Sequence, residues 1–116
     1  MVERHGLDSS EGTGNVHWVQ ADLRVSSEAI AGAKKAVEWA GGTIDLLVNN
    51  AGIIMLEDFM DITPENFDET IAVNTRAPLL VSQVCLEGMI KQKYGKIVNI
   101  TSQSAVIATK AHAACE

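Results

Sequence analysis

Cysteine is almost absent from this sequence. Cys85 and Cys115 are the only two, and they stand far apart, which excludes a disulfide framework and any cysteine-based metal motif. Histidine is equally sparse. His5, His17 and His112 share no ligand spacing, so no metal site is expected. Long apolar runs are missing too: the clearest are about five residues, far short of the ~20 that span a bilayer. The amino-terminal Met1-Val2-Glu3-Arg4-His5 has neither the basic region nor the apolar stretch of a signal peptide. Basic residues are outnumbered, 9 against 15 acidic, for a net charge of −6. That gives no electrostatic footprint for nucleic acid or an anionic membrane. These absences predict a reducing, intracellular, cytoplasmic setting, with no membrane and no nucleic-acid partner.

What is present is an ordinary globular composition, 47% hydrophobic and 21% charged, in a length of at most one domain. Residues 1–15 hold Gly6, Gly12 and Gly14 among polar residues without apolar period, and read as a disordered or loop terminus. Val16 to Gln20 reads as a strand ending at Ala21-Asp22. Ser26 or Ser27 then caps a helix with Glu28 in its first turn and an apolar stripe of Ile30, Ala33, Val37 and Ala40. Gly41-Gly42 stops it. Ile44 to Val48 reads as a second strand, apolar enough to be covered on both faces of a parallel sheet. Thr63 caps the next helix with Pro64 at its first position. A helical pattern runs on to Ile90, with a break or new first turn at Pro78, and Lys91, Lys93 and Gly95 end it. Ile97 to Ile100 reads as a third strand. Strands alternating with helices predict βαβ units in an α/β sheet.

The chemistry-bearing residues follow the strands. Asp22 can accept a hydrogen bond from an amino group, and on its own it reads more readily as a turn residue that ends the strand. Asn49-Asn50-Ala51-Gly52 closes the second strand. Paired asparagines there can satisfy backbone groups across a sheet, and Ala51 and Gly52 let a ligand approach the main chain. Asn74 sits inside a helical pattern, where Asn is a poor choice. Ser102 follows the third strand, at the carboxyl edge where open α/β sheets bind ligands. Thr101 and Ser104 are its competitors. Asp58, Asp61, Glu65, Asp68 and Glu69 read as a solvated acidic face.

In this order, Asp22-Leu23, Asn49-Asn50-Ala51-Gly52, Asn74 and Ile97-Val98-Asn99-Ile100-Thr101-Ser102 resemble the middle of a short-chain dehydrogenase/reductase. The resemblance spans about residues 16–114. It implies a doubly wound Rossmann-type parallel sheet of order 3-2-1-4-5-6, of which this chain holds strands three to five. It implies NAD or NADP as cofactor and hydride transfer between a small-molecule carbonyl and an alcohol. Asp22 and Leu23 would meet the adenine, and Asn49, Ala51 and Gly52 the cofactor ribose region. Asn74 would be catalytic, holding a water that links a lysine to solvent. Ser102 would be catalytic, bonding the substrate oxygen while a neighbouring tyrosine supplies the proton. The helix at about 76–93 would be a subunit interface of a homo-oligomer.

The sequence also departs from that family. Cys115 stands thirteen residues past Ser102, where the tyrosine of Tyr-x-x-x-Lys is expected, and the lone tyrosine is Tyr94. Gly12-Thr13-Gly14 precedes a strand instead of following one, so it is not a phosphate-binding turn. Residues 16–116 therefore read as an incomplete dinucleotide-binding domain, truncated at both ends and inactive alone. The alternatives are a non-catalytic fragment that binds a full-length subunit through the 76–93 helix, and a non-functional truncation product.

Overall fold

The computed structural model describes residues 16–103. The expected terminal loop at 1–15, together with His112, Ser104 and Cys115, lies outside them. The regular elements are α1 (Ser26–Trp39), β1 (Leu46–Asn49), a 3-10 turn (Phe59–Asp61), α2 (Pro64–Ile71), a π-turn (Ala72–Arg76), α3 (Ala77–Gln92) and β2 (Lys96–Asn99).

β1 and β2 are parallel, with Leu46 opposite Lys96 and Asn49 opposite Asn99. The Lys96 N–H donates to the Asp45 carbonyl and the Ile100 N–H to the Asn49 carbonyl, extending the ladder at both ends. The long connection through α2 and α3 is what a parallel pair requires.

α1 lies against α3. Small side chains make that approach possible: Ala29, Ala33 and Ala77 are buried, with Cys85 and Met89 filling the remaining space. Burial pushes the Cys85 thiol above its ordinary pKa. Gly41 and Gly42 both take positive φ, and the Gly42 N–H donates to the Val37 carbonyl, so the two glycines end α1 as expected. Thr63 caps α2 through the Asn66 N–H, with Pro64 in its first turn, also as expected.

Four expectations need correction. Residues 16–20 form no strand; among the described residues no strand runs beside them to complete a ladder. The first strand is not covered on both faces: Leu46 and Val48 are about half exposed, because the helices cover only the side of Leu47 and Asn49. Neither Ser26 nor Ser27 caps α1. Its N-cap is Val25, and the Glu28 carboxylate instead reaches back to the Asp22 N–H at 2.8 Å. Finally, of Lys91, Lys93 and Gly95, which were to end α3 together, Lys93 is the C-cap, in the left-handed conformation (φ 56°), and Gly95 is not the stop. Gly95 is needed for another reason: any Cβ there would collide with the Met89 side chain.

The break expected at Pro78 is a π-turn just before it. Pro78 has no N–H, so the Asn74 carbonyl four residues back loses its helical partner. The ladder slips by one residue, and the Ala77 N–H donates to the Ala72 carbonyl.

Candidate active site

Two adjoining clefts lie at the carboxyl ends of β1 and β2. The first, about 180 Å³, is lined by Leu23, Leu47, Asn49, Asn50, Ala51 and Pro78, among others. The second, about 380 Å³, is lined by Asn49, Ala51, Asn74, Ser82, Asn99 and Thr101, among others. Asn49, Ala51 and Pro78 belong to both. The fold thus brings Leu23, Asn49, Ala51 and Asn74 together, although they are spread over 52 positions of sequence. Gly52 stands beside Asn74, whose Oδ1 lies 3.5 Å from where a glycine Cβ would be. Ser102 follows Thr101 at the same edge and is exposed.

Asn49 is the hub. Its Nδ2 donates to Asn99 Oδ1 at 2.8 Å and to Ser82 Oγ at 3.1 Å. Sequence reasoning expected an asparagine that satisfies backbone groups. The side chain instead ties the ends of both strands to α3 through other side chains, while the ladder itself uses the Asn49 carbonyl. Asn74 does meet the main chain. Its Nδ2 donates to the Ile53 carbonyl and its Oδ1 accepts the Ile53 N–H, both at 2.9 Å.

Asp22 is held within its own turn. Oδ1 accepts from the Arg24 N–H and Nε, and Oδ2 from Nε and Nη2, at 2.6 to 3.1 Å. The Arg24 side-chain hydrogen bonds, then its backbone N–H, pull the Asp22 carboxyl down to about 2. The same contacts raise the Arg24 guanidinium. Arg24 also pairs with Glu69 at 3.3 Å, so one member of the supposed solvated acidic face has a partner. Arg76 Nη2 donates to the Arg24 carbonyl at 2.8 Å.

Tyr94 is not in the clefts. It precedes β2, at the amino end of the sheet, and is more than half exposed. Among the described residues no group of His, Cys, Asp or Glu is placed to hold a metal, and no helix is long and apolar enough to cross a membrane.

A family model for short chain dehydrogenases matches residues 5–114. The chain belongs to the short-chain dehydrogenase family. It is 39% identical over 94 residues to an uncharacterized oxidoreductase of Thermotoga maritima, covering 81% of this chain and 36% of that one. It is 43% identical over 72 residues to human L-xylulose reductase, covering 61% of this chain and 30% of the reductase. The chain thus spans about a third of the length of these curated relatives. Among solved structures it is similar to a metagenomic short-chain oxidoreductase in complex with NADP, at TM-score 0.74 and 35% identity, covering 81% of this chain and 42% of that one. It is also similar to a 4-hydroxyisoleucine dehydrogenase complexed with NADH, at TM-score 0.73 and 32% identity, covering 83% and 42%. The fold is therefore a partial α/β, Rossmann-type arrangement, built on β1, β2 and the helices that connect them.

Sequence reasoning missed Arg24, Arg76, Ser82 and Asn99 as parts of this region. Asn99 carried a signal, since it precedes the same strand end as Ser102. Ser82 and Arg76 carried none, because their partners are 33 and 52 residues away.

Proposed function

We propose that this chain is the cofactor- and substrate-facing part of an NAD(P)-dependent oxidoreductase that interconverts a carbonyl and an alcohol. The observation that carries this reading is the pair of clefts sharing Asn49 and Ala51 at the carboxyl ends of two parallel strands. The residues fit a dinucleotide. Ala51 and Gly52 are exposed and leave the main chain open, and a Cβ at Gly52 would still touch only Asn74. Leu23 closes the first cleft on the side where the adenosine would lie.

The bound nicotinamide would supply or accept the hydride. The chain's own residues do the rest. Ser102 would donate to the substrate oxygen as negative charge builds on it, a fixed donor being worth about 10²–10³ in kcat. Asn74 acts as a positioning residue: it pins Ile53 and thereby shapes the loop that carries Ala51 and Gly52. The test is titration of the chain with NADH and NADPH, followed by AMP. Saturable binding that AMP displaces supports the reading. No binding of either nucleotide at millimolar concentration overturns it.

A second reading is a non-catalytic subunit. The exposed apolar residues of α3 favour it. Leu86 and Ile90, one turn apart on α3, are exposed and would meet a family subunit, either a second copy or a full-length relative. Turnover of NAD(P)H with small ketones separates the two readings. Steady oxidation that Ser102→Ala abolishes supports the enzyme; its absence, with stable co-purification of a full-length relative, supports the subunit.

A further inference from the structure

We propose that Arg76 is a positioning residue for the adenosine end of the cofactor, fastening the Asp22-Leu23-Arg24 turn to the π-turn that also carries Asn74. This rests on the dinucleotide reading of the clefts. The Asp22 carboxylate already receives four contacts from Arg24, so it has little left to offer a ligand. What the turn can present is its shape and Leu23, which lines the first cleft beside Asn49 and Ala51. Among the described residues Leu23 itself makes no hydrogen bond, so its place is set by its two neighbours.

Those neighbours are fastened at three points on three elements. The Asp22 N–H donates to Glu28 on α1. Arg24 Nη1 pairs with Glu69 on α2. The Arg24 carbonyl accepts from Arg76 at the end of the π-turn. Both ties to the backbone of the turn are charge-assisted, the Glu28 carboxylate on the Asp22 N–H and the Arg76 guanidinium on the Arg24 carbonyl, and only the second comes from the π-turn. Arg76 has no carboxylate partner among the described residues. Its guanidinium is thus committed to this one carbonyl. Asn74 and Arg76 are two residues apart, a spacing that sends side chains to different sides of a helical turn. Asn74 therefore pins the loop at Ile53 while Arg76 pins the turn at Arg24. One five-residue π-turn sets the separation of the two walls between which the adenosine would bind.

The experiment is an NMR titration of the full chain with AMP and, separately, with nicotinamide mononucleotide, for the wild type, Arg76→Ala and Arg76→Lys. Arg76→Ala is expected to weaken AMP about threefold to tenfold, the effect of losing one charge-assisted hydrogen bond at a partly exposed site. Mononucleotide binding and melting temperature should stay close to wild type, and Arg76→Lys should restore part of the AMP affinity. Unchanged AMP affinity in Arg76→Ala overturns the proposal. Equal weakening of both ligands with a lowered melting temperature also overturns it, by showing a merely structural role. A wild-type chain that binds no AMP overturns the dinucleotide reading and this proposal with it.

Discussion

The side-chain amide of Asn74 pairs with both backbone polar atoms of Ile53, donating to the carbonyl and accepting the N–H at 2.9 Å each. An asparagine in this geometry imitates a neighbouring strand. It can do so because the π-turn around it rotates the side chain out of the helix and over the loop after β1. A helix-poor residue thus stands where its side chain holds the loop after β1.

Asn74→Ala should lower stability by about 1–3 kcal/mol, because it leaves two partly buried backbone groups without partners. Thermal unfolding measures this, and amide exchange at Ile53 should rise first. Asn74→Asp should be no rescue. The carboxylate still accepts the Ile53 N–H but faces the Ile53 carbonyl with no donor. A melting temperature equal to wild type in Asn74→Ala would mean that the loop is held by something else.

Asn49 makes a sharper case, because both of its partners are side chains. Asn49→Ala removes the donor to Asn99 and Ser82 and should cost about 1–2 kcal/mol. Asn99→Ala should cost less, since Asn49 keeps Ser82. The double variant should fall short of the sum by at least about 0.5 kcal/mol, the usual sign of groups in one network. Strict additivity would show that the 2.8 Å contact between them contributes nothing.

Much of this was legible in the sequence. Thr63-Pro64 marked the start of α2, and Gly41-Gly42 marked the end of α1, because both rest on local backbone chemistry. The Asn49-Asn50-Ala51-Gly52 motif marked the cleft because the strand before it is apolar and short. What differed were features whose partners the local pattern does not name. Ser26 and Ser27 look like caps, yet they stand inside the first turn, after the N-cap Val25. Val16 to Gln20 has strand composition, but a ladder needs a neighbour, and composition does not supply one. Asp22 read both as a turn residue and as an acceptor for a ligand, and its carboxylate closes its own turn through Arg24, two residues on.

Two glycines should respond oppositely to the same change. A Cβ at Gly88 would lie 2.8 Å from Thr43 Oγ1 and 3.1 Å from the Gly42 carbonyl. Gly88→Ala should therefore push α3 off the turn after α1 and cost about 1–3 kcal/mol, as overpacking does. At Gly52 the nearest atom is Asn74 Oδ1 at 3.5 Å, an ordinary contact. Gly52→Ala should leave the melting temperature unchanged and weaken nucleotide binding instead. Circular dichroism and a nucleotide titration on the same two variants check both halves.

The Asp22–Arg24 pair sets a pH dependence. Asp22 titrates at about 2 in the folded chain against an ordinary 3.8. The folded value is depressed, so the pair's contribution is complete above about 4. It fades as pH falls through about 2, where the carboxylate is protonated in both states. The pair is exposed, so its effect on global stability should be small. The direct measurement is the Asp22 carboxyl shift by NMR. Arg24→Ala should return its midpoint toward 3.8, and a midpoint that stays near 2 would place the cause elsewhere.

The exposed apolar surfaces predict association. β1 pairs on one edge only among the described residues, and Leu46 and Val48 are about half exposed. An unpaired apolar edge is a template for another strand. On α3, Leu86 is 41% and Ile90 66% exposed, one helical turn apart, which forms a second sticky surface. The net charge of −6 opposes association. At physiological salt, however, that repulsion is screened beyond about 8 Å. Sedimentation at micromolar concentration should show species larger than a monomer. The pair Leu86→Glu and Ile90→Glu should shift them toward the monomer if α3 is the contact, while Val48→Lys should do so if the strand edge is. A wild-type chain that sediments as a single monomer with dispersed amide resonances would mean that neither surface is as bare in solution as its exposure indicates.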